Sequence, residues 1–203
     1  VHTDAAQSVG KVSVLVDELG VDYLTIAGHK LYAPKGIGAL YIRRGCEVPS
    51  LIHGAGHESG RRAGTENVLE IVGLGRAAEL AAARLTDSAE HSRRLRDRLL
   101  AALGERLPGL KVNGDLEQGL PNTLSVSLPE VSASVLLEQV NDRVAASAGA
   151  ACHPGGVSIS TVLEAMKVPH EQALGTVRFS VGHPTTEEEI DQAAEIVAEA
   201  ARG

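Results

Sequence analysis

The chain has 203 residues, 43% of them hydrophobic and 22% charged, with a formal net charge of −7; this suits one or two globular domains and excludes a general nucleic-acid binder, which would be basic. Aromatic residues make up only 2% and Trp is absent, which excludes a base-stacking platform and leaves Leu, Val, Ile and Ala to build the core. No apolar run approaches the roughly 18 residues needed to span a bilayer, no signal-peptide pattern opens the chain, and the two cysteines, Cys46 and Cys152, sit far apart in sequence and make no framework, which fits a reducing, cytoplasmic setting; no membrane partner is predicted.

The first predicted strand is a stub at residues 1–3. Val1-His2-Thr3-Asp4-Ala5 reads as a strand end running into a turn, which predicts that the chain is a piece of a larger domain. Residues 14–20 predict a short helix ended by Gly20, and residues 21–26 a buried strand. Strand, crossover and strand is the pattern of a parallel α/β sheet. After the turn Pro34-Lys35-Gly36 comes a strand at 37–43, too close to the second for a parallel crossover and therefore expected to be antiparallel to it.

Residues 53–64 form a loop dense in Gly, His and Arg. His53 and His57 invite a metal reading, but the glycines between them disfavour the helix that would pair them, so no metal is expected. Thr65 is the expected cap of a helix from 66 to about 85, with Val68, Ile71, Val72, Gly75, Ala78 and Ala82 on one apolar face. A second helix, from about 88 to 106, should carry Arg93, Arg94, Arg96 and Arg98 on a mostly solvated face. The join at 86–88 is the expected domain boundary.

Beyond it, strands are predicted at 110–112 and 123–128, the latter with Leu124, Val126 and Leu128 alternating against polar residues. A helix at 134–142, a strand at 144–147, a short helix at 160–166 and a strand at 177–181 follow. Thr186-Glu187-Glu188-Glu189 is a capping box, opening a helix that turns Ile190, Ala193, Ala194, Val197 and Ala201 inward. The expected fold class is α/β: residues 1–87 as part of a larger sheet domain, 88–203 as a small α+β domain.

Lys30 stands at the mouth of the second strand. A deprotonated lysine condenses with an aldehyde, although the plainer reading of an isolated Lys30 is a surface lysine in a loop. A pyridoxal phosphate enzyme needs such a lysine, a carboxylate for the pyridine nitrogen, phosphate donors and a group for the substrate carboxylate. Asp4, ending the neighbouring strand, can serve the nitrogen, and Gln7 can donate to the ring oxygen; the plainer reading of Asp4 is a turn former.

Three stretches carry a resemblance: His2-Thr3-Asp4-Ala5-Ala6-Gln7, Gly28-His29-Lys30-Leu31-Tyr32-Ala33-Pro34-Lys35-Gly36 and Arg61-Arg62-Ala63-Gly64-Thr65-Glu66-Asn67. With Leu120-Pro121-Asn122-Thr123, Ser147-Ala148-Gly149-Ala150-Ala151-Cys152 and Val177-Arg178-Phe179-Ser180-Val181-Gly182, they are similar to cysteine desulfurases and selenocysteine lyases, of the class V aminotransferase group. The resemblance implies the C-terminal half of a pyridoxal phosphate-dependent enzyme of the aspartate-aminotransferase type fold. Lys30 would be the Schiff-base lysine, Asp4 the ring-nitrogen partner, Gln7 the ring-oxygen donor, and His29 a phosphate contact. Thr65 would reach the phosphate of a second subunit, which implies a homodimer when intact. Cys152 would take sulfur or selenium from L-cysteine or L-selenocysteine as a persulfide-type adduct, for delivery to an iron–sulfur scaffold or another acceptor, and Arg178 would hold the substrate carboxylate. Ala27 and His183 depart from the usual Ser and Arg of the pattern.

Beside the resemblance, Cys152 lies in the small-residue loop Ala148-Gly149-Ala150-Ala151-Cys152-His153-Pro154-Gly155-Gly156, where a sulfur carrier could move and His153 could lower the thiol pKa. The plainer reading is a small buried cysteine, which is also the reading for Cys46. A non-catalytic fragment and a Cys152–His153 hydrolase are the alternatives, and the hydrolase leaves Lys30, Asp4 and Arg178 unexplained.

Overall fold

A computed structural model describes residues 1–153 and 156–203, with side chains described outside 150–158. The chain divides into two compact units, Val1–Asp87 and Ser88–Gly203. Together they have the mixed α/β character expected from the sequence.

In the first unit β1 (His2–Asp4), β2 (Tyr23–Ala27) and β3 (Gly38–Ile42) form one sheet in chain order. β1 runs parallel to β2, with Asp4 opposite Thr25, and β2 runs antiparallel to β3. The crossover contains only a four-residue helix, α1 (Val16–Leu19), stopped by Gly20 at φ 63°, a left-handed conformation that glycine adopts without a Cβ clash. Ala5, Val21 and Leu24 are buried together, and Val9, Val14 and Val16 of the crossover pack on them. Arg43 ties the crossover to the sheet: its guanidinium donates to the carbonyls of Val21 and Val16 and pairs with Asp17 at 2.8 Å.

A single turn, α2 (His57–Gly60), holds Glu58 and Ser59 at φ 51° and 58°. The next helix, α3 (Val68–Ala83), is capped by Asn67, whose side chain accepts the Glu70 N–H, and not by Thr65. Its apolar stripe is also not the predicted one. Ala77 is buried, with Leu74 and Ala81 beside it, against Leu31 and Ala33, whereas Val68 and Val72 are each 65% exposed. The helix has apolar residues on two sides, so spacing alone permits either face. Contact decides: a Cβ on Gly73 would lie 2.9 Å from the Pro34 ring, so that side of the helix is the packed one.

The chain leaves helical geometry only at Arg84 before α4 (Leu85–Arg106), so residues 86–88 are helix and not a linker. Arg96 was expected to be solvated but is buried at 2% exposure. It donates to the Leu116 carbonyl at 2.8 Å and pairs with Asp97, which satisfies a guanidinium that would be costly to bury alone.

The second unit is built on an antiparallel sheet of β4 (Lys111–Val112), β5 (Thr123–Ser127), β6 (Ser147–Ala148) and β9 (Thr176–Ser180), in spatial order β4-β5-β9-β6. The predicted strand at 144–147 is displaced, because Val144 returns its N–H to Val140 at 2.8 Å and is still leaving helix α5 (Ala133–Val140). Leu124, Val126 and Leu128 are buried as their alternation predicts. They share one core with Leu95, Leu99 and Leu103 of α4, Leu136 of α5, and Ile190, Ala194 and Val197 of α8 (Glu187–Ala200). Thr186 and Glu189 form the expected capping box of α8. Ser160 caps α6 (Thr161–Ala165), and α7 (His170–Leu174) has no counterpart in the sequence reading. Among the described residues no helix is long and apolar enough to cross a membrane.

Candidate active site

β2 ends in a tight 3-10 turn, Gly28–Leu31. The Gly28 N–H donates to the Ile37 carbonyl at 3.0 Å. A Cβ on Gly28 would stand 2.7 Å from that oxygen, so the turn demands glycine. Leu31 is buried and anchors the turn, which leaves His29 and Lys30 exposed. Tyr32 closes it at φ 66° with its N–H on the Gly28 carbonyl.

Asp4 ends β1, and its Oδ1 accepts the Ala6 N–H at 2.9 Å, bending the chain into the turn that carries Gln7. Parallel strands present their C-terminal ends on one rim, so the Asp4 turn and the Lys30 turn share a rim. One side chain joins them. The Lys11 ammonium donates to the Gln7 carbonyl at 3.0 Å and to the Lys30 carbonyl at 3.4 Å. Burial, and then the nearby Lys30 charge, hold the Lys11 pKa below the usual lysine value.

The sequence reading put Lys30 at the mouth of the second strand. Lys30 is exposed, and the half-buried lysine is Lys11. No local pattern in the sequence marks Lys11, because the Lys30 carbonyl it meets lies 19 residues further along the chain. Thr65 is exposed in the loop ahead of α3, where the Arg62 guanidinium donates to the Gly64 carbonyl at 2.8 Å. Asp4, Gln7, His29, Lys30 and Thr65 all belong to the first unit.

Arg178 and Cys152 belong to the second. Arg178 is exposed on β9, paired with Ser125 of β5 and Ser147 of β6, and its guanidinium donates to the Ser147 hydroxyl at 3.3 Å. β6 passes through Gly149 into β7 (Ala150–His153), which pairs with β8 (Gly156–Ile159) and sets Cys152 opposite Val157. The stretch read from its small residues as a loop is therefore a strand of a hairpin over 150–153. The side chains of Cys152 and His153 lie outside the described residues. At the hairpin's root the Gly149 N–H donates to the Thr176 carbonyl at 2.6 Å. The β6–β9 pairing thus brings Arg178 beside the segment that leads to Cys152.

The donor types on the first unit's rim match those that a phosphorylated pyridine aldehyde requires. An exposed primary amine, a carboxylate on the adjoining strand end and an exposed imidazole beside the amine supply groups for the aldehyde, the ring nitrogen and an anion.

The family model described as aminotransferase class-V matches residues 1–193. A cysteine desulfurase of Nostoc sp. is 45% identical over 199 residues, which are 98% of this chain and 50% of that protein. Among solved structures, a NifS-like protein is 38% identical with a TM-score of 0.88 over 98% of this chain and 51% of its own. A NifS-like protein from Rickettsia africae is 28% identical with a TM-score of 0.89, over 100% of this chain and 53% of its own. The chain spans about half the length of the relatives it matches.

Proposed function

The chain belongs to the class-V aminotransferases, and from that membership we propose that it forms about half of a pyridoxal phosphate-dependent cysteine desulfurase. The observation that supports this reading is the meeting of the Asp4–Gln7 turn and the Lys30 turn on one sheet rim, bridged by Lys11. Residues 1–87 are then part of the cofactor-binding domain, and residues 88–203 the smaller domain that carries the cysteine. When bound, the cofactor withdraws electrons from the substrate's carbon framework and so labilises its bonds.

The chain's own residues do the rest. Lys30 would hold the cofactor through its Nζ, the Asp4 carboxylate would serve the ring nitrogen, and Gln7 would donate to the ring oxygen. His29 would contact the phosphate, and Thr65 would do so across a homodimer of the whole enzyme; Ala27, which has no hydroxyl, would contribute no side-chain bond there. Arg178 grips the substrate carboxylate with its planar fork. The Cys152 thiolate attacks the substrate sulfur: an S–S bond forms, the substrate's C–S bond breaks with its electron pair passing to carbon, and alanine leaves after that carbon is protonated. The persulfide on Cys152 then passes its outer sulfur to an acceptor thiol or an iron–sulfur scaffold. L-selenocysteine would fit the same residues.

With the remaining half of the enzyme supplied, Lys30→Ala should abolish the absorbance of the lysine-linked cofactor. Cys152→Ser should keep that absorbance and lose the persulfide seen by mass spectrometry after alkylation. Sulfide release from cysteine by Cys152→Ser at the unmutated rate, without added thiol, would remove Cys152 from this role.

A further inference from the structure

We propose that Lys11 is a positioning residue for the cofactor lysine, a clamp that sets the Lys30 turn against the turn bearing Gln7. The proposal rests on the reading of Lys30 given above. Three observations carry it. The Lys11 Nζ is the atom on which the two turns converge, through the carbonyls of Gln7 and Lys30. The Lys30 carbonyl lies in the last turn of a short helix, where carbonyls lack partners within the helix and a cation is favourable. Third, the backbone is shaped to deliver the lysine. Gly10 takes φ 77°, and a Cβ there would stand 3.2 Å from Ala81 and 3.7 Å from Leu31. The chain therefore passes close against Leu31, the buried anchor of the Lys30 turn.

A lysine in this position is expensive if packing were its only purpose. Its ammonium is half-buried beside a second lysine, and both burial and that neighbour disfavour its charge. An apolar side chain would fill the space without the desolvation penalty. What only a multivalent donor supplies is a simultaneous grip on two carbonyls. Reactivity of a positioned amine is sensitive to displacements of about 1 Å, so the grip bears on Lys30 even though Lys11 does not touch the reacting atoms.

Two measurements on the full 203-residue chain test this, with Lys11→Met and, should that variant not fold, Lys11→Gln, which is too short to bridge both carbonyls. The first is amide hydrogen exchange and needs no cofactor. Loss of the clamp should raise exchange at Ala33, whose N–H closes the Lys30 turn on the Gly28 carbonyl, and leave the amides of the β2–β3 ladder protected; Lys11→Arg, which keeps several donors, should restore Ala33. Unchanged exchange at Ala33, or equal loosening of the whole sheet, would overturn the clamp. The second is the rate at which added pyridoxal phosphate reacts with Lys30, followed by absorbance. This should fall about tenfold in Lys11→Met and recover in Lys11→Arg, and an unchanged rate would overturn the link to Lys30. Lys30→Ala separates the two readings. If it leaves the pyridoxal phosphate reaction intact, the cofactor role of Lys30 fails while the exchange result still judges the clamp.

Discussion

The two units solve the folding problem with unequal means. Residues 88–203 enclose a continuous aliphatic core, in which Leu95, Leu103, Val126, Val140, Val177 and Val197 have no exposed surface. The first unit has two small clusters, Ala5–Val21–Leu24 and Leu31–Ala33–Ala77. Large apolar side chains stand outside them: Leu51 is 92% and Leu69 83% exposed. Yet the small-cored unit carries the lysine, carboxylate and amide assigned to the cofactor, on turns held by hydrogen bonds and glycine packing. The difference teaches that the turns on the first unit's rim are shaped by local contacts, Gly28 against Ile37 and Asp4 on the Ala6 N–H, whereas the hairpin over 150–153 is mounted on a unit with a continuous core of its own.

This contrast is broken most directly in the cores. Leu103→Ala removes a fully buried side chain from a close-packed cluster and should destabilise the second unit by about 3–5 kcal/mol. Leu24→Ala empties a smaller cluster ringed by partly exposed neighbours, which can collapse or admit water, so a loss near 2 kcal/mol is expected. Denaturant unfolding followed by hydrogen exchange in each unit measures both. A larger loss for Leu24→Ala than for Leu103→Ala would show that the first unit is the more cooperative of the two.

The same contrast explains what was legible in the sequence. The features that could be read are those in which one local rule decides. Gly20 stops a helix, Thr186 and Glu189 cap one, Leu124, Val126 and Leu128 alternate, and the short gap between β2 and β3 dictates an antiparallel pair. The features that were missed depend on partners distant in sequence. Val68, Ile71 and Val72 obey helical spacing, but the packed side of α3 is chosen by Pro34, Leu31 and Ala33. Arg96 looks like its neighbours Arg93, Arg94 and Arg98 until the Leu116 carbonyl is found beside it. Of the rim, the motif residues Asp4, Gln7 and Lys30 could be named from the sequence, but Lys11 could not, because one of the two carbonyls it bridges, that of Lys30, lies 19 residues away in the chain.

Two glycines sharpen the comparison next, since each lies at the root of a segment proposed to be reactive. Gly149→Ala would set a Cβ 2.7 Å from the Thr176 side chain and 2.8 Å from that of Leu163. Overpacking of this kind costs about 1–3 kcal/mol, and it should appear as lost stability of the second unit. Gly28→Ala would meet the Ile37 carbonyl oxygen at 2.7 Å and the Ile37 side chain at 2.9 Å. There the strain falls on the turn itself, so about the same energy should be spent on displacing Lys30. Amide chemical shifts give the readout: changes confined to residues around 28–37 for Gly28→Ala, and around Thr176 and Leu163 for Gly149→Ala. A Gly28→Ala chain whose Lys30 turn keeps its shifts would mean that the close approach does not govern that turn.

The smallest expected effect is electrostatic and lies wholly in the second unit. Arg98 grips Asp191 with two bonds of 2.8 and 2.7 Å and also reaches Glu187 at 3.1 Å. The hydrogen bond from Arg98, followed by its charge, holds the Asp191 carboxyl below its ordinary pKa. A carboxyl depressed in the folded state binds fewer protons there than in the unfolded chain, so stability rises with pH across its titration. The contribution is therefore fully present above the unfolded carboxyl's pKa of about 4, and it is lost as pH falls through the lower, folded value. Because both partners are solvent-exposed, screening keeps the effect small. Asp191→Asn should lower the urea midpoint of the second unit slightly at pH 7, and the two chains should converge as pH falls below the ordinary carboxylate range. Added salt should narrow the gap at pH 7. A gap that stays constant from pH 7 into the acid range would assign the loss to packing of the α8 side chain and not to the ion pair.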